Sequence, residues 1–177
     1  MANYLYRRPT QLDLFTDSYR VSGRAMIGTG GLYAELDNPN SSFLELQDAY
    51  ISRIHEPGEI ILSYETAAFR KDNINFIILQ DRRDGVAVGT QHGRSVFTRG
   101  RPINLFVTVP AFEISGTVMY EGSPTPQSLV VQSIGGYLMA FDAKAMASVR
   151  PDLEYSGDLI IIHKERIGIL CLDAKRQ

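Results

Sequence analysis

The 177-residue chain contains one cysteine, three histidines and no tryptophan. A lone Cys171 excludes an internal disulfide, and nothing else points to an oxidising compartment. His55, His92 and His163 are scattered, and none has the ligand spacing of a structural metal site. No serine or cysteine stands in a nucleophile-elbow or papain-like context, and no carboxylate pair is set apart as acid and base. The chain is therefore expected to be no enzyme, with no catalytic residue, cofactor or metal.

An excess of one charge is lacking too: 18 basic residues face 20 acidic ones, for a net charge of −2. That excludes a surface that coats nucleic acid or anionic membrane over its whole extent. No apolar run approaches the roughly 18 residues needed to span a bilayer. Residues 1–17, with Arg7, Arg8 and Asp13, hold no apolar stretch of secretory length, so a cytoplasmic protein is expected.

What is present suits a packed domain: 44% hydrophobic and 21% charged residues are ordinary globular values. The leading feature is self-similarity at a nearly constant offset. Tyr19-Arg20-Val21-Ser22-Gly23-Arg24-Ala25-Met26-Ile27 matches Phe112-Glu113-Ile114-Ser115-Gly116-Thr117-Val118-Met119-Tyr120 at a shift of 93. Phe43-Leu44 through Asp48-Ala49 matches Tyr137-Leu138 through Asp142-Ala143 at 94. Phe69 to Leu79 matches Ile162 to Leu172 at 93, with Lys71 on Lys164 and Asp72 on Glu165. The last pair places four polar residues between apolar runs, which predicts a tight hairpin joining two strands. His163 falls on Arg70 and reads as a generic polar turn residue.

The expected fold is mainly β: two tandem copies of a small bent-sheet or partly open barrel module, each with one short helix. Leu32 and Leu36, four apart and ahead of Pro39, predict a helical turn in the first copy. Pro124 to Ile134, ended by Gly135-Gly136, reads as a helix in the second, with a strand as the alternative. Glu59 to Tyr64 and Asp158 to Ile162 read as strands. The expected boundaries are an N-terminal arm at 1–17, copy one at 18–81, a basic glycine-rich hairpin connector at 82–104, and copy two with a short tail at 105–177.

The connector carries Arg82, Arg83, Arg94, Arg99 and Arg101 against one acid, Asp84. Val86-Ala87-Val88 and Ser95-Val96-Phe97 flank a glycine-bounded centre, which predicts a protruding hairpin. Such arginines fit phosphates or an acidic protein surface, or simply keep an exposed hairpin soluble. Gly28-Thr29-Gly30-Gly31 resembles a phosphate-cradling turn, but Tyr33 stands where the dinucleotide fingerprint needs its third glycine. A structural turn is expected there.

Gln132-Ser133-Ile134-Gly135-Gly136 resembles the Ser-x-x-Gly part of the cyclic-di-GMP-binding PilZ family. Val131 occupies the place of the family's acidic or Asn residue, and Arg94 and Arg99 are five apart instead of four. The turn-linked strands near each module's end resemble Sm-like barrels in tandem, whose last hairpins line an RNA-binding ring. The Arg-Gly or Lys-Gly of that turn is missing, since Lys71 precedes Asp72 and Lys164 precedes Glu165. Two roles fit these residues. One is a non-catalytic structural or adaptor subunit that assembles with itself or another protein. The other is an RNA-binding module using the connector arginines.

Overall fold

In the computed structural model, which describes residues 6–86, 100–132 and 135–173, ten strands form one open antiparallel sheet. The first half of the chain supplies β1 (Arg8–Phe15), β2 (Tyr19–Ile27), helix α1 (Gly31–Leu36), β3 (Phe43–Arg53), β4 (Glu56–Arg70) and β5 (Phe76–Leu79). The second half supplies β6 (Arg101–Val109), β7 (Phe112–Tyr120), helix α2 (Pro126–Gln132), β8 (Tyr137–Ala147), β9 (Arg150–His163) and β10 (Ile169–Asp173). Across the sheet the order is β10-β6-β7-β8-β9-β5-β1-β2-β3-β4.

Alternation decides the faces. In β2, Val21, Gly23, Ala25 and Ile27 are buried while Arg24 is exposed, the period of two that a pleated strand imposes. In β5 all four residues are buried, because neighbours cover both of its faces. Bulges then bend the sheet. The β2·β3 register shifts between Ser22 and Arg24, and the β7·β8 register between Ser115 and Thr117. Asp48 and Asp142, in the facing strands, take φ of 47° and 46°, a left-handed conformation that Asp tolerates better than most residues. A bulge of this kind kinks its strand and raises the local twist. Gly116 is required there: a Cβ would sit 2.7 Å from that of Ala143.

The helices form where the sequence predicts. Thr125 and Ser128 cap α2 reciprocally, the backbone N–H of each donating to the other's hydroxyl at 2.9 and 3.1 Å. That favours the helix over the strand alternative as far as Gln132. The expected N-terminal arm is corrected in part. Residues 8–15 are β1, paired with both β2 and β5, and Leu12, Leu14 and Phe15 are buried. Alternation with Gln11 and Asp13 gives this segment one apolar face, and the sheet interior takes it.

The expected hairpins after β4 and β9 are also corrected. Lys71–Asn73 and Lys164–Arg166 are single 3-10 turns with extended residues on either side. They turn corners and do not reverse the chain. β4 pairs with β3, whereas β5 crosses to lie between β1 and β9. Each corner lysine ties its corner to the end of a helix or the segment that follows it. The Lys71 ammonium donates to the carbonyls of Glu35 (2.6 Å) and Asn38 (3.0 Å), and that of Lys164 to Gly135 (2.6 Å). Burial pushes the Lys71 ammonium below its usual pKa range.

Two apolar cores flank the sheet. One gathers Val21, Leu32, Leu36, Leu46 and Ile77 of the first half with Tyr137, Met139, Phe141, Leu159 and Ile161 of the second. The other gathers Val107, Ile114, Ala145 and Ile160 with Phe15, Ile54, Phe76 and Ile78. Each half thus lends side chains to the other's core.

Candidate interaction edges

The contact between the halves is a strand seam. Residues 76–79 pair with residues 159–162 in the register Phe76↔Ile162, Ile77↔Ile161, Ile78↔Ile160 and Leu79↔Leu159. Phe76, Ile78, Ile160 and Ile162 enter one core; Ile77, Leu79, Leu159 and Ile161 enter the other. Phe15 stacks on Phe76 at 4.4 Å, and Phe112 meets both rings edge-on at 5.3 and 5.1 Å. The approach of β5 to β9 depends on Gly157. A Cβ there would lie 2.5 Å from the Leu79 carbonyl oxygen and 2.6 Å from Ile78 Cγ2.

A polar cluster closes the end of the seam. Arg166 Nε donates to Asn75 Oδ1 at 2.7 Å, Asn75 Nδ2 donates to Asp17 Oδ1 at 3.0 Å, and Arg166 also pairs with Asp17. Asn75 is fully buried, so its bonds also satisfy a group that would otherwise be costly to bury. Hydrogen bonds from Arg166 and then Asn75 hold the Asp17 carboxyl below its usual pKa range.

Among the described residues the two outermost strands have one partner each: β4 pairs with β3, and β10 with β6. None of the fifteen residues of β4 is buried. Ile60, Leu62 and Tyr64 are exposed by 60%, 47% and 55%, and Ile169 on β10 by 54%. Cys171 is exposed as well. A bare edge also presents a row of unpaired N–H and C=O groups, a template for another strand.

Beside β4 lies an open groove of about 600 Å³, lined among others by Met26, Glu35, Phe43, Glu45, Gln47 and Thr66. Arg7 pairs with Glu35 at its mouth at 2.8 Å, and the Gly28 N–H donates to the same carboxylate at 3.3 Å. In the second half, Tyr137, Met139, Phe141 and Leu159 pack in one core with Leu32 and Leu36 of α1.

The connector arginines do not converge on a free anion site among the described residues. Arg82 and Arg83 lie in a 3-10 turn, and Arg101 opens β6 opposite Tyr120. Arg82 pairs with Asp142 at 2.7 Å, its guanidinium 5.5 Å from the Phe141 ring centroid. Arg83 pairs with Asp81 at 2.5 Å, and its hydrogen bonds pull the Asp81 carboxyl down to about 2. Arg94 and Arg99, and the tip of the expected hairpin, lie outside the described residues.

The glycine turn before α1 serves packing. Gly31 has φ +73°, and a Cβ on it would come within 2.8 Å of the Gly85 backbone. The Tyr33 N–H donates to the Gly85 carbonyl at 2.9 Å. His163, expected as a polar turn residue, is buried at the end of β9, stacked on Tyr137 at 5.1 Å. Its Nδ1 has no hydrogen-bond partner among the described residues, and burial lowers the imidazole pKa.

Among the described residues no group of three or more His, Cys, Asp or Glu is placed to hold a metal ion. No helix among them is long and apolar enough to cross a membrane. Reading along the chain missed Gly157 and the Asp17–Asn75–Arg166 cluster. The only signal for the first was a glycine between Ser156 and Asp158, just ahead of the strand read at Asp158 to Ile162, and a glycine within a strand marks close backbone approach. No protein-family model matches the chain, and neither a curated protein nor a solved structure does so.

Proposed function

We propose that the protein is a non-catalytic structural or adaptor subunit, built from two copies of one strand-strand-helix-strand-strand-strand unit and assembling through its unpaired edges. The order of elements recurs in the two halves. Gly23 and Gly116, the bulge residues Asp48 and Asp142, and the corner lysines Lys71 and Lys164 recur at shifts of 93 or 94. Two related halves of the sheet, each too small to bury a full core alone, gain by sharing one.

One observation carries the assembly reading. The fifth strand of the first unit, β5, pairs with the fourth strand of the second, β9. The remaining fourth and fifth strands, β4 and β10, stand at the two ends of the sheet. The ion pairs of Arg82 and Arg83 with Asp142 and Asp81 leave less free positive charge for phosphate.

Light scattering over a range of protein and salt concentrations tests this. A salt-insensitive mass well above that of a 19.8 kDa chain, or a stable complex with another protein, is expected. A chain that stays monomeric and retains no partner refutes it. Bound nucleic acid released steeply by salt, and lost when the connector arginines become Ala, supports RNA binding instead.

A further inference from the structure

We infer that copies of this chain join head to tail, β10 of one adding to residues 66–69 of β4 in the next. The inference rests on the assembly reading and commits it to one partner and one register. The internal seam is the template. Shifting the β5 residues of that seam forward by 93 and the β9 residues back by 93 gives Ile169↔Phe69, Leu170↔Ala68, Cys171↔Ala67 and Leu172↔Thr66 between neighbouring chains.

The side chains at both ends already face as this pairing requires. Leu170 and Leu172 pack against their own core, as Ile77 and Leu79 do at the seam. Ile169 and Cys171 point outward, at the positions where Phe76 and Ile78 enter the core beyond the seam. On β4, Ala67 and Phe69 pack against their own core, as Ile160 and Ile162 do. Thr66 and Ala68 are exposed at the positions of Leu159 and Ile161. Two different edges meet, so the contact is heterologous and propagates from copy to copy.

Three differences make this junction weaker than the internal one. Thr66 and Ala68 replace Leu159 and Ile161, so less apolar surface is buried. Glu45 and Gln47 replace Met139 and Phe141 on the adjoining face, leaving it polar. Tyr64 stands at the position of Gly157, where the internal seam has no room for a Cβ. Tyr64 therefore strains the Leu172↔Thr66 end of the junction, and the chains associate reversibly while the two halves of each stay joined.

The single native cysteine provides the test, because the proposed register sets Cys171 opposite Ala67. Directly paired residues on antiparallel strands have Cα atoms about 4.5–5.5 Å apart, within reach of a disulfide. The full-length Ala67→Cys chain, oxidised with diamide, should run as dimers and higher species on a non-reducing gel. Ala34→Cys, on the exposed face of α1, should not, and Cys171→Ser should abolish the ladder. Tyr64→Gly should tighten association about tenfold, equivalent to about 1.4 kcal/mol.

An oligomer, or a complex with another protein, in which Ala67→Cys does not link to Cys171 overturns the head-to-tail register and leaves the assembly reading standing. A chain monomeric at every concentration, with no partner, overturns both. Looser association of the Tyr64→Gly chain removes the stated role of Tyr64 and, with it, the alignment of this junction on the seam.

Discussion

A methyl group placed on Gly157 tests whether the seam is as tight as its geometry implies. An alanine Cβ would stand 2.5 Å from the Leu79 carbonyl oxygen and 2.6 Å from Ile78 Cγ2, whereas ordinary contact begins near 3.4 Å. The first neighbour is backbone and cannot rotate away, so β5 must retreat by about 1 Å, given the usual cost of overpacking. It has nowhere to go, since all four of its residues are buried and β1 pairs with its other edge. Overpacking of this kind costs about 1–3 kcal/mol, and stretched ladder hydrogen bonds add about 1 kcal/mol. The smaller entropy of the unfolded alanine chain returns about 0.4–1 kcal/mol. The net loss is about 1–3.5 kcal/mol, or about 2–14 °C in Tm for a chain of this length. Gly58→Ala is the control, because a Cβ there meets nothing within 4 Å. Thermal unfolding gives the magnitude, and hydrogen exchange at residues 76–79 locates it. If Gly157→Ala melts with the parent and those amides stay protected, the close approach of β5 to β9 is not what joins the halves.

Further expectations follow from buried polar groups. Lys71→Met keeps the packed stem but leaves the carbonyls of Glu35 and Asn38 without their donor; about 2–3 kcal/mol should be lost, read as a lower urea midpoint at unchanged slope. An unchanged midpoint would mean that water replaces the ammonium. Burial lowers the His163 pKa, so the folded chain holds fewer protons there than the unfolded chain below the ordinary value of 6.5. The sign is therefore fixed: this contribution is complete above about pH 6.5 and declines as pH falls below it. Urea unfolding between pH 7.5 and 5 should show a shallower decline in His163→Phe, and parallel curves would refute the assignment. The diamide ladder of Ala67→Cys and the native mass complete the set.

Much of the local structure is legible along the chain because its causes are local. The period of two in Tyr19–Ile27 marks a half-buried strand without knowledge of its neighbour. Leu32 and Leu36 mark α1, and a proline at the start with Gly135-Gly136 after the end mark α2. The β-rich character of the chain is legible in the same way, and ten strands form.

Partnership was decided only in three dimensions. Four apolar residues, Phe76–Leu79, suit any strand with an apolar face, so adjacency to β4 in sequence suggested a hairpin. The 3-10 corner instead sends them to β9, 80 to 86 residues away, and Gly157 admits them there. The charge pattern of the connector likewise suggested free arginines. Asp142, 60 residues from Arg82, comes within 2.7 Å of it only once the sheet has formed. Periodicity specifies which face of a strand is apolar, but hydrogen-bonding edges carry no label in the sequence. Close packing chooses among them, and here it joins β5 to β9 and leaves β4 and β10 at the ends of the sheet.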